Sequence, residues 1–226
     1  MAPGRVPFGP TGLEEIFAFL EWRATEDLLA SSDAVFLHAA GVRVGAVAVL
    51  LVGASGSGKS TLAAHLFMRG HRLWGDDLVR FATQTRSFSA TPRSLKLDAK
   101  ALESLLLIST LCSEASLGTL LALHTAYVSP AAFRRSWQAP DGPADVVVLL
   151  DRRAHNGPAR IERISEGEAA LVAARMLMGG GTSGNEQEHA ELMARVLESM
   201  TEMRAYRAAG SPPALLADAL ERELAA

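Results

Sequence analysis

The stretch Gly53-Ala54-Ser55-Gly56-Ser57-Gly58-Lys59-Ser60 constrains this chain more than any other. A run from Val42 to Val52, apolar but for Arg43, leads into it, and helix-forming residues from Lys59 to about Met68 follow. A glycine-rich loop between a buried strand and a helix N-terminus is the context in which this spacing binds phosphate. Gly53, Gly56 and Gly58 permit backbone angles that a Cβ would forbid, so successive amide N–H groups can turn inward as an anion nest. The helix adds its unsatisfied N–H groups and positive dipole end. Lys59 supplies a mobile charge for the β and γ oxygens, and the Ser60 hydroxyl can ligate Mg²⁺. The expected ligands are ATP and Mg²⁺, with Gly53, Ala54, Ser55, Gly56, Ser57, Gly58, Lys59, Ser60 and Thr61 forming the binding loop.

Around this loop the chain reads as alternating strands and helices. Ala34 to Leu37 and Val42 to Val52 are strand candidates, with Gly41 and Gly45 as turn or bulge signals. The second run lacks in-out alternation and predicts a central strand covered on both faces. Arg69-Gly70 ends the helix after the loop. His71 to Trp74 is a short strand, Arg80 to Asp98 a set of short strands and loops, and Ala99 to about Leu111 a helix. Leu117 to Val128 fits helix or strand. Val146 to Leu150 is a second buried strand ending at Asp151. Ser165 and Glu168 form a capping box that opens a helix to about Met178. Leu192, Val196, Met200 and Met203 share one helical face. Residues 1–10 read as an irregular arm, 11–178 as the main domain with a helix capped by Thr11 and Glu14, 179–186 as a glycine-rich hinge, and 187–226 as a helical appendage.

Composition narrows the partners. A formal net charge of −3 provides no global basic surface for nucleic acid. The single cysteine, Cys112, excludes an internal disulfide and suits a reducing cytoplasm. The longest apolar stretch, Ala46 to Val52, is far below a membrane span, so a soluble protein is expected.

A bound triphosphate needs a carboxylate near its metal, and transfer to an alcohol needs one to take the proton. Asp76 and Asp77 follow a short apolar segment about twenty residues after the loop. Neighbours on an extended strand face opposite ways, so the pair is expected to divide its roles. As a bare sequence feature Gly75-Asp76-Asp77 is more often a turn, and Asp151, ending an apolar strand, is the rival.

Leu37-His38-Ala39-Ala40-Gly41-Val42, Leu51 through Ser60, Arg69-Gly70-His71-Arg72-Leu73 and Asp76-Asp77-Leu78-Val79 together resemble the core of the HPr kinase/phosphorylase family. Thr91-Pro92-Arg93-Ser94-Leu95-Lys96 is similar to a segment of HPr-kinase-related proteins encoded beside peptide-modification genes. The resemblance covers about residues 34 to 98. It implies an α/β phosphate-loop kinase of the HPr kinase and phosphoenolpyruvate-carboxykinase-like type, with a mixed central sheet and flanking helices. It implies phosphoryl transfer from ATP to a serine hydroxyl of a peptide or small protein, including a ribosomally made precursor. By position, Lys59 and Ser60 hold phosphate and Mg²⁺, Asp76 and Asp77 supply the metal contact and the catalytic carboxylate, and His38 lies beside them. Arg93 and Lys96 are secondary candidates for phosphate or an acidic acceptor. Neither the N-terminal domain nor the C-terminal signature of the longer HPr kinases is found in these residues, so HPr is not the expected acceptor. The related kinases form oligomers, and the amphipathic segment Glu188 to Ala208 suits either that or internal packing. Two other readings fit the loop: a phosphatase or NTPase that uses water, and a non-catalytic nucleotide-sensing module.

Overall fold

The computed structural model describes residues 16, 19–20, 23–27, 35–91, 93–106, 125–128, 130, 136–151, 157–178, 186–210 and 212–225. In chain order the elements are β1 (Val35–Leu37), β2 (Ala40–Val44), β3 (Val47–Val52), α1 (Lys59–Met68), β4 (Arg72–Gly75), β5 (Val79–Ala82), β6 (Ser87–Ala90) and β7 (Leu95–Asp98). They continue with α2 (Ala99–Leu106), β8 (Thr125–Val128), β9 (Val146–Leu150), β10 (Arg160–Arg163), α3 (Glu166–Ala174), β11 (Leu177–Met178), α4 (Glu186–Thr201), β12 (Arg204–Ala209) and α5 (Pro213–Ala225). The Thr11 cap, Cys112, residues 117–124 and most of the 179–186 hinge lie outside the described residues. Leu20, placed by its spacing on an apolar helix face, is exposed.

The apolar run Val42 to Val52 is two strands rather than one. Gly45 takes φ 60° and turns β2 back onto β3 in an antiparallel hairpin. On its other edge β3 pairs in parallel with β9, which places it inside a six-stranded mixed sheet of order β10-β12-β9-β3-β2-β4. An antiparallel sheet of order β11-β1-β5-β6 and the β7–β8 ribbon complete the strand pairing.

Alternate residues of β3 enter two separate cores. Val49 and Leu51 join Val146, Val148 and Leu73 against Leu62, Leu66 and Phe67 of α1 and Leu216 and Leu220 of α5. Ala48, Leu50 and Val52 face the other way, toward Val35 and Leu37 of β1, Phe81 of β5, Phe88 of β6 and Val196 and Met200 on α4. Burial on both faces explains why β3 shows no polar alternation, as expected for a central strand. The periodic apolar positions of α4 likewise serve packing: Val196 and Met200 are buried, and Met203, expected on the same helical face, is buried just beyond the helix end at Thr201.

Two stretches depart from the expected pattern. The helix opened by Ser165 stops at Ala174 instead of reaching Met178. Leu177 and Met178 instead pair antiparallel with Leu37 and Phe36, satisfying the free edge of β1. Residues 187–226 are not a helical appendage. They contribute β12, which lies between β9 and β10, parallel to the former and antiparallel to the latter. Its sequence, Arg-Ala-Tyr-Arg-Ala-Ala, is mostly helix-favouring alanine and arginine, with Tyr206 as its single strand-favouring residue. Pairing on both edges overrides that local preference.

A chain ending at Thr201 would lose β12 from the sheet interior together with α5. It is expected to lose cooperative unfolding altogether, instead of yielding a stable shortened domain. Circular dichroism during thermal denaturation of the truncated protein tests this, and a sharp transition within a few degrees of the full chain would contradict it.

Candidate functional site

The loop from Gly53 to Gly58 connects the C-terminal end of β3 to the start of α1. Its entry is sterically closed to other residues: a Cβ on Gly53, with φ 150°, would stand 2.8 Å from the Leu150 carbonyl oxygen and 2.9 Å from the Ser57 hydroxyl. The parallel β3–β9 pairing thus sets the loop directly against the end of β9. Gly58 is the N-cap of α1, in the left-handed region at φ 98°, and no side chain caps the helix. Its first turn also lacks acidic residues. By contrast, Ser165 caps α3 by accepting from the Glu168 amide, with Glu166 and Glu168 in the first turn. The N-terminus of α1 therefore offers unsatisfied donors and a positive dipole end without an internal anion.

Lys59 is buried, and its ammonium donates to the carbonyl oxygens of Gly53 at 2.9 Å and Ala54 at 3.3 Å. These bonds fold the side chain over its own loop. Burial lowers the Lys59 pKa, opposed by the Asp77 charge. The Ser60 hydroxyl donates to the main-chain carbonyl of Asp76 at 3.2 Å. That bond uses the hydroxyl hydrogen and leaves the oxygen lone pairs available to a cation.

A cleft of about 420 Å³ opens over these groups. The loop and helix line it with Ser55, Gly56, Gly58, Lys59, Ser60 and Thr61. His38, Asp77 and Lys96 approach from other elements. His38 sits in the β1–β2 connection, where its amide donates to the Met176 carbonyl at 2.7 Å. Nothing local in the sequence marks Met176 as that anchor; the pairing of β11 with β1 brings it there.

The two aspartates lie in different environments. Asp77 faces the cleft, with Oδ1 3.1 Å from His38 Nδ1 and Oδ2 3.6 Å from an Arg93 guanidinium nitrogen. Burial lowers the His38 pKa, with the Asp77 charge raising it and the Lys59 and Arg93 charges lowering it further. A neutral imidazole meets the carboxylate favourably only through an Nδ1-bound proton, which leaves Nε2 as an acceptor. Asp76 is 3% exposed and does not line the cleft. Its Oδ2 accepts from the Lys96 amide at 3.1 Å, so it ties β7 to the turn after β4. Asp151 follows β9 and donates its amide to the Ala208 carbonyl at 3.0 Å, and it does not line the cleft either. The structure thus brings together His38, Lys59, Ser60, Asp77, Arg93 and Lys96. It leaves the Asp76 carboxylate beneath them and Asp151 aside.

Among the described residues no group of three His, Cys, Asp or Glu side chains forms a preassembled metal cage. Mg²⁺ commonly takes one or two protein oxygens and completes its shell with phosphate and water. Ser60 with a neighbouring carboxylate is a donor set of that kind. The uncapped helix, the Lys59 ammonium and the glycine-lined cleft likewise fit a polyphosphate.

Burial raises the Asp76 pKa from 3.8 to about 6, aided by the Asp77 charge and opposed by the Lys96 hydrogen bond. Ionisation of a group raised by folding opposes folding: the penalty is absent below the unfolded value and fully developed above the folded one. Asp76→Asn keeps an acceptor for the Lys96 amide and removes the charge. In nucleotide-free protein it is expected to be more favourable at pH 7.5 than at pH 3.5 by on the order of 2–3 kcal/mol, because each tenfold change in proton affinity corresponds to about 1.4 kcal/mol. Urea denaturation at both pH values measures the difference, and equal effects would show that burial is not the dominant influence on this carboxyl.

Residues 29–103 match the family model described as HPr Serine kinase C-terminal domain. A stretch of 47 residues is 47% identical to the HPr kinase/phosphorylase of Stenotrophomonas maltophilia strain K279a, and equally to that of strain R551-3. It makes up 21% of this chain and 15% of each relative, so the alignment covers a small part of the curated proteins. The family match contains the loop, His38, both aspartates, Arg93 and Lys96. Over residues 29–103, this chain is HPr-kinase-like.

Proposed function

We propose that this protein is an ATP-dependent kinase that transfers the γ-phosphoryl group to a hydroxyl, that of a serine in a peptide or small protein. The observation that carries the reading is the meeting of Lys59, Ser60 and Asp77 in one cleft. A ribosomally made precursor peptide is the specific acceptor we favour, on the resemblance of the Thr91 to Lys96 segment.

In this reading the amides of Gly53 to Gly58 and the start of α1 hold the triphosphate, and Lys59 moves from the loop carbonyls onto its β and γ oxygens. Bound Mg²⁺, contacted by Ser60, would neutralise charge on those oxygens. The acceptor oxygen attacks the γ phosphorus as the bond to the bridging oxygen breaks. The acceptor proton passes to the Asp77 carboxylate, and ADP departs. Because phosphoryl transfer has a loose transition state, orientation and charge stabilisation matter more than a strong base. His38 and Arg93 hold Asp77 from either side, which restrains its two oxygens. We assign Asp76 a supporting role through the Lys96 amide, with Lys96 itself facing the phosphate or the acceptor. Its buried carboxylate makes direct metal contact the less favoured role.

The direct experiment incubates the protein with labelled ATP, Mg²⁺ and serine-bearing peptides encoded beside its gene. Label on a peptide supports the kinase. Rapid ATP hydrolysis without acceptor would favour an NTPase, and nucleotide binding without turnover would favour a sensing module. Lys59→Ala is expected to weaken ATP binding at least about tenfold by calorimetry, since it removes the mobile charge on the phosphates. Asp77→Asn should retain ATP affinity within roughly threefold while transfer falls by about 10² to 10⁴, the range of a positioned acid or base. Undiminished transfer in both Asp77→Asn and Asp76→Asn would move the catalytic assignment toward Asp151. His38→Ala should reduce kcat by at least about tenfold with little change in Tm. A lowered Tm at unchanged kcat would make His38 a packing residue.

A further inference from the structure

β2 and β4 pair antiparallel at the margin of the six-stranded sheet, and their register sets Arg43 opposite Arg72. Directly opposed residues hold their Cα atoms about 4.5–5.5 Å apart and project to one face of the sheet, where like charges repel. Other arginines of the fold have carboxylates: Arg69 pairs with Asp218 and Glu221, Arg86 with Glu198 and Glu202, and Arg207 with Glu168. Neither Arg43 nor Arg72 has an ion pair among the described residues. Arg43, half-buried, and Arg72, exposed, both line a cavity of about 280 Å³ with Gly45, Gly70, His71 and Pro140, and no carboxylate is among its lining residues. The acid beside the imidazole, Glu221, is bound to His71 Nε2 at 2.8 Å and also holds Arg69.

This cavity is remote from the loop. Arg72 begins β4, whose other end leads into Asp76, and Arg43 lies five residues beyond His38 on β2. At about 3.3 Å per residue the separation along either strand is roughly 13–17 Å.

We propose that Arg43 and Arg72 form an anion site, separate from the phosphate loop, that takes a doubly charged tetrahedral oxyanion, a phosphate group. A dianion compensates both guanidinium groups and offers oxygens to both planar forks, whereas a monoanion leaves one charge unmet. Whatever repulsion the empty pair carries, which solvent screens at the exposed Arg72, is relieved when such an anion binds. This site is independent of the phosphotransfer reading, because it includes none of the residues assigned to that reaction.

Isothermal titration with inorganic phosphate at pH 7.5 and low ionic strength, in the Lys59→Ala protein to suppress the loop, tests the site. Arg43→Gln and Arg72→Gln are each expected to weaken phosphate at least about tenfold, as loss of a charge-assisted donor set does. The double variant should lose the binding, and acetate should bind at least about tenfold more weakly than phosphate. In phosphate-free buffer Arg72→Gln should unfold at no lower temperature than its parent, since it relieves repulsion; this also establishes that the variant folds. Phosphate affinity unchanged in the double variant, equal affinity for acetate, or a lowered Tm in phosphate-free buffer would overturn the proposal. Phosphoserine binding tighter than inorganic phosphate would assign the group to a phosphorylated partner, and weaker or equal binding to the free ion; either outcome supports the site.

Discussion

The contact on which the arrangement depends is the approach of the Gly53 backbone to the end of β9. Parallel pairing of β3 with β9 brings Gly53 against the Leu150 carbonyl, where no other residue fits, and the chain must turn there toward α1. Because β3 is buried on both faces and α1 packs Leu62, Leu66 and Phe67 into the core, neither end of the loop can drift. The N-terminus of α1 is therefore held open, with neither side-chain cap nor acidic residue to satisfy it. Uncapped donors of this kind cost stability in the empty protein and become useful only when an anion arrives.

The remaining groups of the cleft reach it from separate pieces of the fold. His38 is supported through Met176 of the β11 segment, and Asp77 follows β4 at the edge of the other sheet. Arg93 and Lys96 come from the segment that opens the β7–β8 ribbon. Asp76 links these pieces by accepting the Lys96 amide while its carbonyl receives the Ser60 hydroxyl. It does so as a nearly buried carboxyl whose ionisation opposes folding.

The eight residues from Gly53 to Ser60 are the most legible feature, because glycine geometry, a lysine and a hydroxyl recur at fixed local offsets. Lys59–Met68 is legible with its observed bounds for a related reason: loop and helix are contiguous, and the stop at Arg69-Gly70 is local. Val42 to Val52 is legible as buried and only incompletely as strand structure, since apolar residues continue through the Gly45 turn and hide the hairpin. The paired aspartates stand out as a pair, and the structure places Asp77 in the cleft and Asp76 beneath it. Which one faces the cleft depends on how the turn after β4 packs against β7. The strand β12 is hidden because its alanines and arginines carry no β signal and Tyr206 alone does not establish a pattern.

By itself, then, the amino-acid order determined a phosphate-loop-like segment after a buried strand, two adjacent carboxylates and a mixed α/β chain, and its motifs carried the HPr-kinase likeness. Those are consequences of local chemistry, in which each residue's conformational freedom or charge is read at short range. Tertiary structure alone decided that β12 is a sheet strand, that Met176 supports His38, that Asp76 is buried, and that Arg43 opposes Arg72. Each of these follows from pairing between segments distant in the chain, where edge hydrogen bonds and shared burial outweigh local preference.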